Sequence, residues 1–104
     1  MTRLAFLMQL KPGQDQEYQR RHNPIWPELR DTLRDHGAHN YSIFLDPRNG
    51  QLFACVEVES IERWEQIAQT DICRKWWAHM ADIMETNEDN SPQATPLPEV
   101  FHMD

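Results

Sequence analysis

The segment "AHNYSIFLDPRNGQLFACVEV", from Ala38 to Val58, decides the fold. Residues 38–45 and 51–57 both alternate between two sets of side chains, and a period of two residues predicts β-strands. The sequence "DPRNG" between them ends in Asn49-Gly50, a pair typical of a tight hairpin turn. One face of the first strand is predicted to carry His39, Tyr41, Ile43 and Leu45, and one face of the second Leu52, Ala54, Val56 and Val58.

Outside the hairpin, turn and capping residues divide the chain into further elements. Pro24 is expected to end a helix and Pro27 to begin the next one, while Ser60 and Thr70 are suitable helix N-caps. The predicted elements are a strand at 3–10, helices at 14–22 and 27–36, the two hairpin strands, helices at 61–69 and 70–84, a loop at 85–98 and a strand at 99–103. This βαββαβ order predicts an α+β, ferredoxin-like subunit formed by residues 1–104 as one domain.

The predicted strands are apolar on both faces, although in such a fold two helices cover only one face of a four-stranded sheet. In the first strand, Ala5 and Leu7 lie opposite the face of Leu4, Phe6 and Met8. In the third strand, Phe53 and Cys55 likewise lie opposite the face of Leu52, Ala54 and Val56. Exposed apolar sheet favours aggregation, so we expect a homodimer that stacks or extends the sheets.

Composition narrows the partners and the location of the protein. Seventeen acidic and ten basic residues give a net charge of −7, which disfavours nucleic acid and anionic membrane surfaces as partners. The N-terminal apolar run is too short for a membrane span and lacks the pattern of a signal peptide. Cys55 and Cys73 lie in apolar segments without the spacing of a redox motif, so we expect reduced thiols in a cytoplasmic protein.

Tyr18 and His22 are the first candidates for chemistry. Four residues apart on a helix, they present to the same side, directly before the interruption at Pro24. An imidazole with a pKa near 6.5 exchanges protons at neutral pH, and a tyrosine hydroxyl beside it donates or accepts hydrogen bonds. The same pattern is compatible with a surface or capping histidine beside a simple chain corner.

Tyr41, Trp76 and Trp77 are candidate ligand-binding residues. Adjacent helical tryptophans point about 100° apart, so one core-facing stripe does not easily absorb both. Flat indole rings suit the C–H faces of a sugar, but core packing and dimer contact are equally compatible with the pair. Tyr41 also fits a core tyrosine whose hydroxyl is hydrogen-bonded.

Other catalytic signatures are weak. His36 and His39 straddle Gly37, where a helix should end, and no cysteine or carboxylate nearby completes a zinc site. The chain has no glycine-rich phosphate loop and no G-x-S-x-G sequence. Phosphoryl transfer and serine hydrolysis therefore lack their usual motifs, and no metal site is predicted.

Four separated motifs together resemble the L-rhamnose mutarotase family. They are "EYQRRHNPIWPEL" at 17–29, "HGAHNYSIFLD" at 36–46, "KWWAHMADIM" at 75–84 and "NEDNSP" at 87–92, in an order and spacing that extend over nearly the whole chain. The resemblance implies a small cytoplasmic homodimer, a dimeric α+β barrel, that interconverts the α and β anomers of L-rhamnose without metal or organic cofactor. Glu88 and Phe44 depart from the family pattern, which tends to have proline and tyrosine there.

Position by position, the resemblance implies that His22 is the proton donor and that Tyr18, Tyr41, Trp76 and Trp77 bind the sugar. His22 would protonate the ring oxygen, while the base for the anomeric hydroxyl stays open between a tyrosine and water. An oxygenase on the same fold and a non-catalytic sugar-binding module are the alternative functions.

Overall fold

A computed structural model describes all 104 residues and has the predicted ferredoxin-like α+β arrangement. The strands are β1 (Thr2–Gln9), β2 (Ala38–Asp46), β3 (Gln51–Val58) and β4 (Thr95–Leu97). The helices are α1 (Asp15–His22), α2 (Pro27–Asp35), α3 (Ile61–Gln66), which continues into a 3-10 turn at Ile67–Gln69, and α4 (Asp71–Met80). The sheet is antiparallel in the order β2-β3-β1-β4. No helix has the length and apolar character that crossing a membrane requires.

The core forms around β3, which pairs with β1 on one side and β2 on the other. Leu52, Ala54, Val56 and Val58 all have 0% exposure, as the alternation predicted. Their neighbours Phe53 and Cys55 point to the opposite face and remain accessible to solvent. Full burial of an aliphatic side chain contributes about 1.5–3 kcal/mol, so this one face of β3 is a large source of stability.

The hairpin turn and the N-caps of α3 and α4 lie where the sequence predicted. The Gly50 amide donates to the Asp46 carbonyl across the hairpin turn at 2.9 Å, with Gly50 at φ +74°, a conformation that favours glycine. The Ser60 and Thr70 hydroxyls accept hydrogen bonds from the amides of Arg63 and Cys73 and so cap α3 and α4.

A β-bulge in β2 corrects the predicted position of His39. The register shifts between His39 and Ser42, and Asn40 has φ +47°, which asparagine tolerates better than most residues. His39 consequently pairs with Glu57 on the outer face, whereas Ile43 pairs with Ala54 on the core face. The extra residue of the bulge therefore places His39 on the face opposite to Tyr41, Ile43 and Leu45.

Two predictions near the C-terminus were wrong. The helix predicted to reach Met84 ends at Met80, and Met84 instead forms a bridge with Leu10. The last strand is not at 99–103 but at Thr95–Leu97, inside the segment predicted as a loop, where it pairs with β1. Because β4 is an edge strand, Pro96 is tolerated there although it lacks an amide hydrogen.

The outer face of the sheet, opposite the helices, is apolar and partly uncovered. Phe44 pairs with Phe53 across β2 and β3, and the two residues are 64% and 39% exposed. Ala5, Leu7 and Cys55 on the same face are half-buried. We call these five residues the outer apolar face.

Shortening Leu52 tests the role of β3 in the core. Leu52→Ala should lower the free energy of unfolding by about 2–5 kcal/mol, because it leaves a cavity at a fully buried site. Glu57→Ala, on the opposite face of the same strand, should change it by less than about 1 kcal/mol. Urea denaturation at one protein concentration measures both, and equal effects would contradict this account of the core.

Candidate functional site

A cavity of about 650 Å³ lies between the helices and the core face of the sheet, lined mostly by apolar side chains. Its size is within the usual range of small-molecule sites, roughly 300–1,000 Å³. The cavity brings together all five residues singled out from the sequence, which are Tyr18, His22, Tyr41, Trp76 and Trp77.

Helix α1 supplies one wall. Tyr18 and His22 lie one turn apart on its cavity side, and their ring centroids are 4.3 Å apart. Tyr18 is 7% exposed, and burial raises the pKa of its hydroxyl. The hydroxyl has no hydrogen-bond partner within the protein, yet no side-chain oxygen or nitrogen is both fully buried and unpaired. It therefore remains accessible from the cavity as a hydrogen-bonding group.

The imidazole of His22 is held in one tautomer. Its Nδ1 lies 2.9 Å from the Tyr18 carbonyl oxygen, and a carbonyl only accepts, so Nδ1 carries a hydrogen and donates. Burial lowers the pKa of His22, against a smaller opposing effect of this hydrogen bond. In the favoured neutral form, Nε2 therefore has a free lone pair.

Helix α4 supplies a second wall of the cavity. Trp76 is 9% exposed, and its ring lies nearly perpendicular to those of His22 and Trp26, at centroid distances of 5.2 Å and 5.0 Å. Trp77 is half-buried and also lines the cavity. The divergent directions of the adjacent tryptophans thus place both of them at the cavity rather than one in the core alone.

Tyr41 reaches the cavity from β2, immediately after the bulge. Its ring meets Trp64 edge-on at 5.7 Å, and the residue is 37% exposed, so it is not a core tyrosine. Although part of the residue is exposed, desolvation of the phenol by the surrounding protein raises the pKa of Tyr41. The hydroxyl stays protonated at neutral pH and is a hydrogen-bond donor.

Several polar residues of the cavity were not predicted from the sequence. Asp15 and Gln19 line it from α1, and Asn90 and Ser91 line it from the loop before β4. Asp15 lies three residues before Tyr18 and seven before His22, a helical spacing that was available as a signal. The loop gave no such signal, because its approach to the cavity is a tertiary contact.

The remaining titratable residues show no metal-binding arrangement. No three histidine, cysteine, aspartate or glutamate side chains are placed to hold a metal ion together. His36 contacts the Thr32 carbonyl at 2.8 Å, whereas His39 pairs with Glu59 at 2.6 Å, so the two rings do not converge. Burial raises the pKa of the Cys73 thiol to about 11, which makes it a poor nucleophile.

Comparisons with known proteins agree over the whole length of the chain. The family model for L-rhamnose mutarotase matches residues 3–103. An L-rhamnose mutarotase from Pectobacterium atrosepticum is 59% identical over 104 residues, which is 100% of both chains. The crystal structure of an L-rhamnose mutarotase from Formosa agariphila superposes with a TM-score of 0.92 at 47% identity and covers 100% of both chains.

A crystal structure of an antibiotic biosynthesis monooxygenase shares the fold. Its TM-score is 0.63 at 13% identity, covering 96% of this chain and 99% of that one. Similarity at this level concerns the fold alone.

Titration of His22 tests the electrostatics of the cavity. Its pKa should lie below 6.5, with the hydrogen of the neutral form on Nδ1, as measured by two-dimensional ¹H–¹⁵N NMR with His22→Gln to assign the signal. Because the folded pKa is below the unfolded one, the folded state binds fewer protons between them. The stability contributed by neutral His22 should therefore be lost as the pH falls from about 6.5 through the folded pKa. A pKa at or above 6.5 would contradict the burial argument.

Proposed function

The chain belongs to the L-rhamnose mutarotase family, and we infer that it interconverts the α and β anomers of L-rhamnose in the cavity between α1, α4 and β2. It is therefore an isomerase that acts on a carbohydrate. The observation that carries the inference is the match of the family over residues 3–103, together with the meeting of its motifs around one cavity.

Anomer exchange requires two proton movements and no oxidation. The anomeric hydroxyl O1 loses its proton, the bond between C1 and the ring oxygen O5 breaks, and O5 gains a proton. The open aldehyde then rotates about C1–C2 and closes on its other face. General acid–base catalysis supplies typically about 10²–10⁴-fold, and orientation of the sugar adds to it.

We propose that Nε2 of His22 carries out both proton movements. The Nδ1 hydrogen bond to Tyr18 and the lowered pKa favour a neutral imidazole, whose Nε2 accepts the proton from O1. The imidazolium formed in this way is the proton donor to O5, and the imidazole returns to its neutral state. O1 and O5 are bonded to the same carbon, so one nitrogen reaches both, and ring closure reverses the steps.

The aromatic residues bind the sugar in this proposal. Tyr18 and Tyr41 offer protonated hydroxyls without partners in the protein and are suited to hydrogen-bond the sugar hydroxyls. Trp76 and Trp77 offer apolar surfaces for the C–H groups and the C6 methyl group of the deoxysugar. A wall of this kind is apolar with a few polar groups, the usual character of a small-molecule site.

Two other functions are distinguished from this one by simple measurements. An oxygenase would consume oxygen, and the monooxygenase likeness, at 13% identity, supports only a common fold. A non-catalytic sugar-binding module would bind L-rhamnose without accelerating anomer exchange. Exchange accelerated by substoichiometric protein excludes the binding module.

We also propose a homodimer in which the outer apolar face of each subunit packs on that of its partner. The cross-strand pair of Phe44 and Phe53 supports this, because aromatic side chains are enriched in the buried cores of interfaces. The helices lie on the other side of the sheet, so the subunit itself leaves this face uncovered. Pairing would remove it from water.

A cytoplasmic location is likewise a proposal. Cys55 and Cys73 are both free thiols, and reduced cysteines are typical of intracellular proteins. Cell fractionation with an antibody against the chain measures the location directly, and recovery outside the cytoplasm would contradict it.

Replacing His22 tests the proposed proton transfer. His22→Gln should lower catalysed anomer exchange by about 10²–10⁴-fold, as measured by saturation-difference NMR of the L-rhamnose anomers. The matched control is His36→Gln, because His36 makes the same Nδ1 contact with a carbonyl four residues earlier but does not line the cavity. The control should retain wild-type activity.

The pH dependence of the reaction shows whether His22 acts first as a base or first as an acid. For the wild type, kcat/KM should fall as the pH drops below the lowered pKa of His22, because the neutral form starts the reaction. A rate that instead rises below this pKa would show that the imidazolium starts the reaction. Retained exchange in His22→Gln would remove His22 from the mechanism altogether.

Sedimentation equilibrium tests the dimer. The wild type at micromolar concentration should sediment at twice the 12.4 kDa chain mass, and Phe44→Glu/Phe53→Glu should shift it to the monomer. Ile61→Glu is the control, since Ile61 is 44% exposed but lies on α3, on the helical side of the sheet. A monomeric wild type would contradict the proposal.

A further inference from the structure

Helix α1 carries the proposed proton-transfer residue but has little to hold it in place. It is eight residues long, Tyr18 is its only buried residue, and no side chain caps its N-terminus. Isolated helices shorter than about 12–15 residues are marginal in water, so its position depends on tertiary contacts. A contact with α4, across the cavity, is therefore needed to fix the position of α1.

Arg21 makes this contact. Its Nη1 donates to the His79 carbonyl at 2.7 Å and to Asp82 Oδ1 at 2.8 Å, and its Nη2 donates to Asp82 Oδ2 at 3.2 Å. Its Nε donates to Glu17 Oε2 at 2.6 Å, within α1. We call this set of contacts the Arg21 bridge.

The geometry of the Arg21 bridge is suited to holding α1 and α4 at a fixed distance. The planar guanidinium engages both carboxylate oxygens of Asp82, an arrangement that fixes direction as well as distance. The Arg21 side chain is only 11% exposed, whereas its partner Asp82 is 67% exposed. The His79 carbonyl belongs to the last turn of α4, where carbonyls lack partners within the helix.

The bridge lies next to the residues that meet in the cavity. Arg21 directly precedes His22 on α1, and His79 follows Trp76 by three residues on α4. The bridge therefore sets the spacing of the two helices at the point where His22 meets Trp76 at 5.2 Å. A change of about 1 Å in such a spacing costs up to 10²-fold in rate when it misplaces a reacting group.

We propose that Arg21 is a positioning residue, which holds Nε2 of His22 at the sugar by bridging α1 to the end of α4. This inference rests on the proposed role of His22 in proton transfer. It assigns Arg21 no contact with the substrate, since Arg21 does not line the cavity.

Arg20 provides a matched control. It is the neighbour of Arg21 and bonds to the same Glu17, at 2.7 Å and 2.5 Å, but it makes no contact with α4 and its side chain is 71% exposed. Loss of Arg20 removes one positive charge and one Glu17 pair from α1, as loss of Arg21 does. Only the loss of Arg21 removes the bridge.

The experiment compares Arg21→Met, Arg21→Lys and Arg20→Met by anomer-exchange kinetics, melting temperature and the NMR signals of His22. Arg21→Met should lower kcat by about 10- to 100-fold with a smaller change in KM. Arg21→Lys should lower kcat less than Arg21→Met, because an ammonium group keeps the positive charge but cannot bind both oxygens of Asp82 as the planar guanidinium does. Arg20→Met should stay within about twofold of wild type.

The His22 signals distinguish positioning from stability and from the proposed function. In folded Arg21→Met, the pKa of His22 and its ring-current shift from Trp76 should change, and in Arg20→Met they should not. Unchanged His22 signals in folded Arg21→Met would overturn the positioning role, whatever the kcat of the variant. Changed signals with wild-type kcat would support the positioning but overturn the role of His22 in proton transfer.

A second variant covers the case in which Arg21→Met fails to fold. The Asp82 side chain is 67% exposed, and asparagine has nearly the same shape, so Asp82→Asn should fold. It should also lower kcat, but by a smaller factor than Arg21→Met, because a neutral amide weakens the paired hydrogen bonds from Arg21 without removing both. Wild-type kcat and unchanged His22 signals in folded Asp82→Asn would overturn the proposal.

Discussion

The complete burial of one face of β3 is the constraint on which the rest of the structure depends. Side chains on a strand alternate, so burial of Leu52, Ala54, Val56 and Val58 commits the neighbouring residues to the opposite face. The helices cover the buried face and enclose the cavity there. The other face keeps Phe44 and Phe53 accessible, and it is the surface used by the homodimer that we propose.

The cavity joins elements that are held by different forces. Burial in the core fixes β2, which presents Tyr41, and α4, which presents Trp76 and Trp77. Helix α1 is mostly polar, and its cavity side depends on the buried ring of Tyr18 and on the Arg21 bridge. The proposed proton-transfer residue is therefore on the element with the least hydrophobic anchoring.

Local patterns predicted most of the fold. The hairpin, the caps at Ser60 and Thr70 and the interruption after His22 all depend on neighbouring residues, and the structure confirms them. The bulge at Asn40 was missed because His39 and Asn40 are both polar, so the sequence does not show where the extra residue reverses the alternation. The edge strand around Pro96 was missed because its pairing with β1 is decided by tertiary contact and not by strand propensity.

The candidate site was predictable where spacing carries information. Tyr18 and His22 are four positions apart, so their meeting follows from helical geometry, whereas Asn90 and Ser91 reach the cavity through a loop. In the proposed mechanism, one imidazole nitrogen of His22 serves both O1 and O5. A crystal structure with L-rhamnose bound tests it most directly and should place both oxygens within about 3.2 Å of Nε2 of His22. A sugar bound with its C6 methyl group toward the imidazole, and with O1 and O5 remote from Nε2, would contradict it.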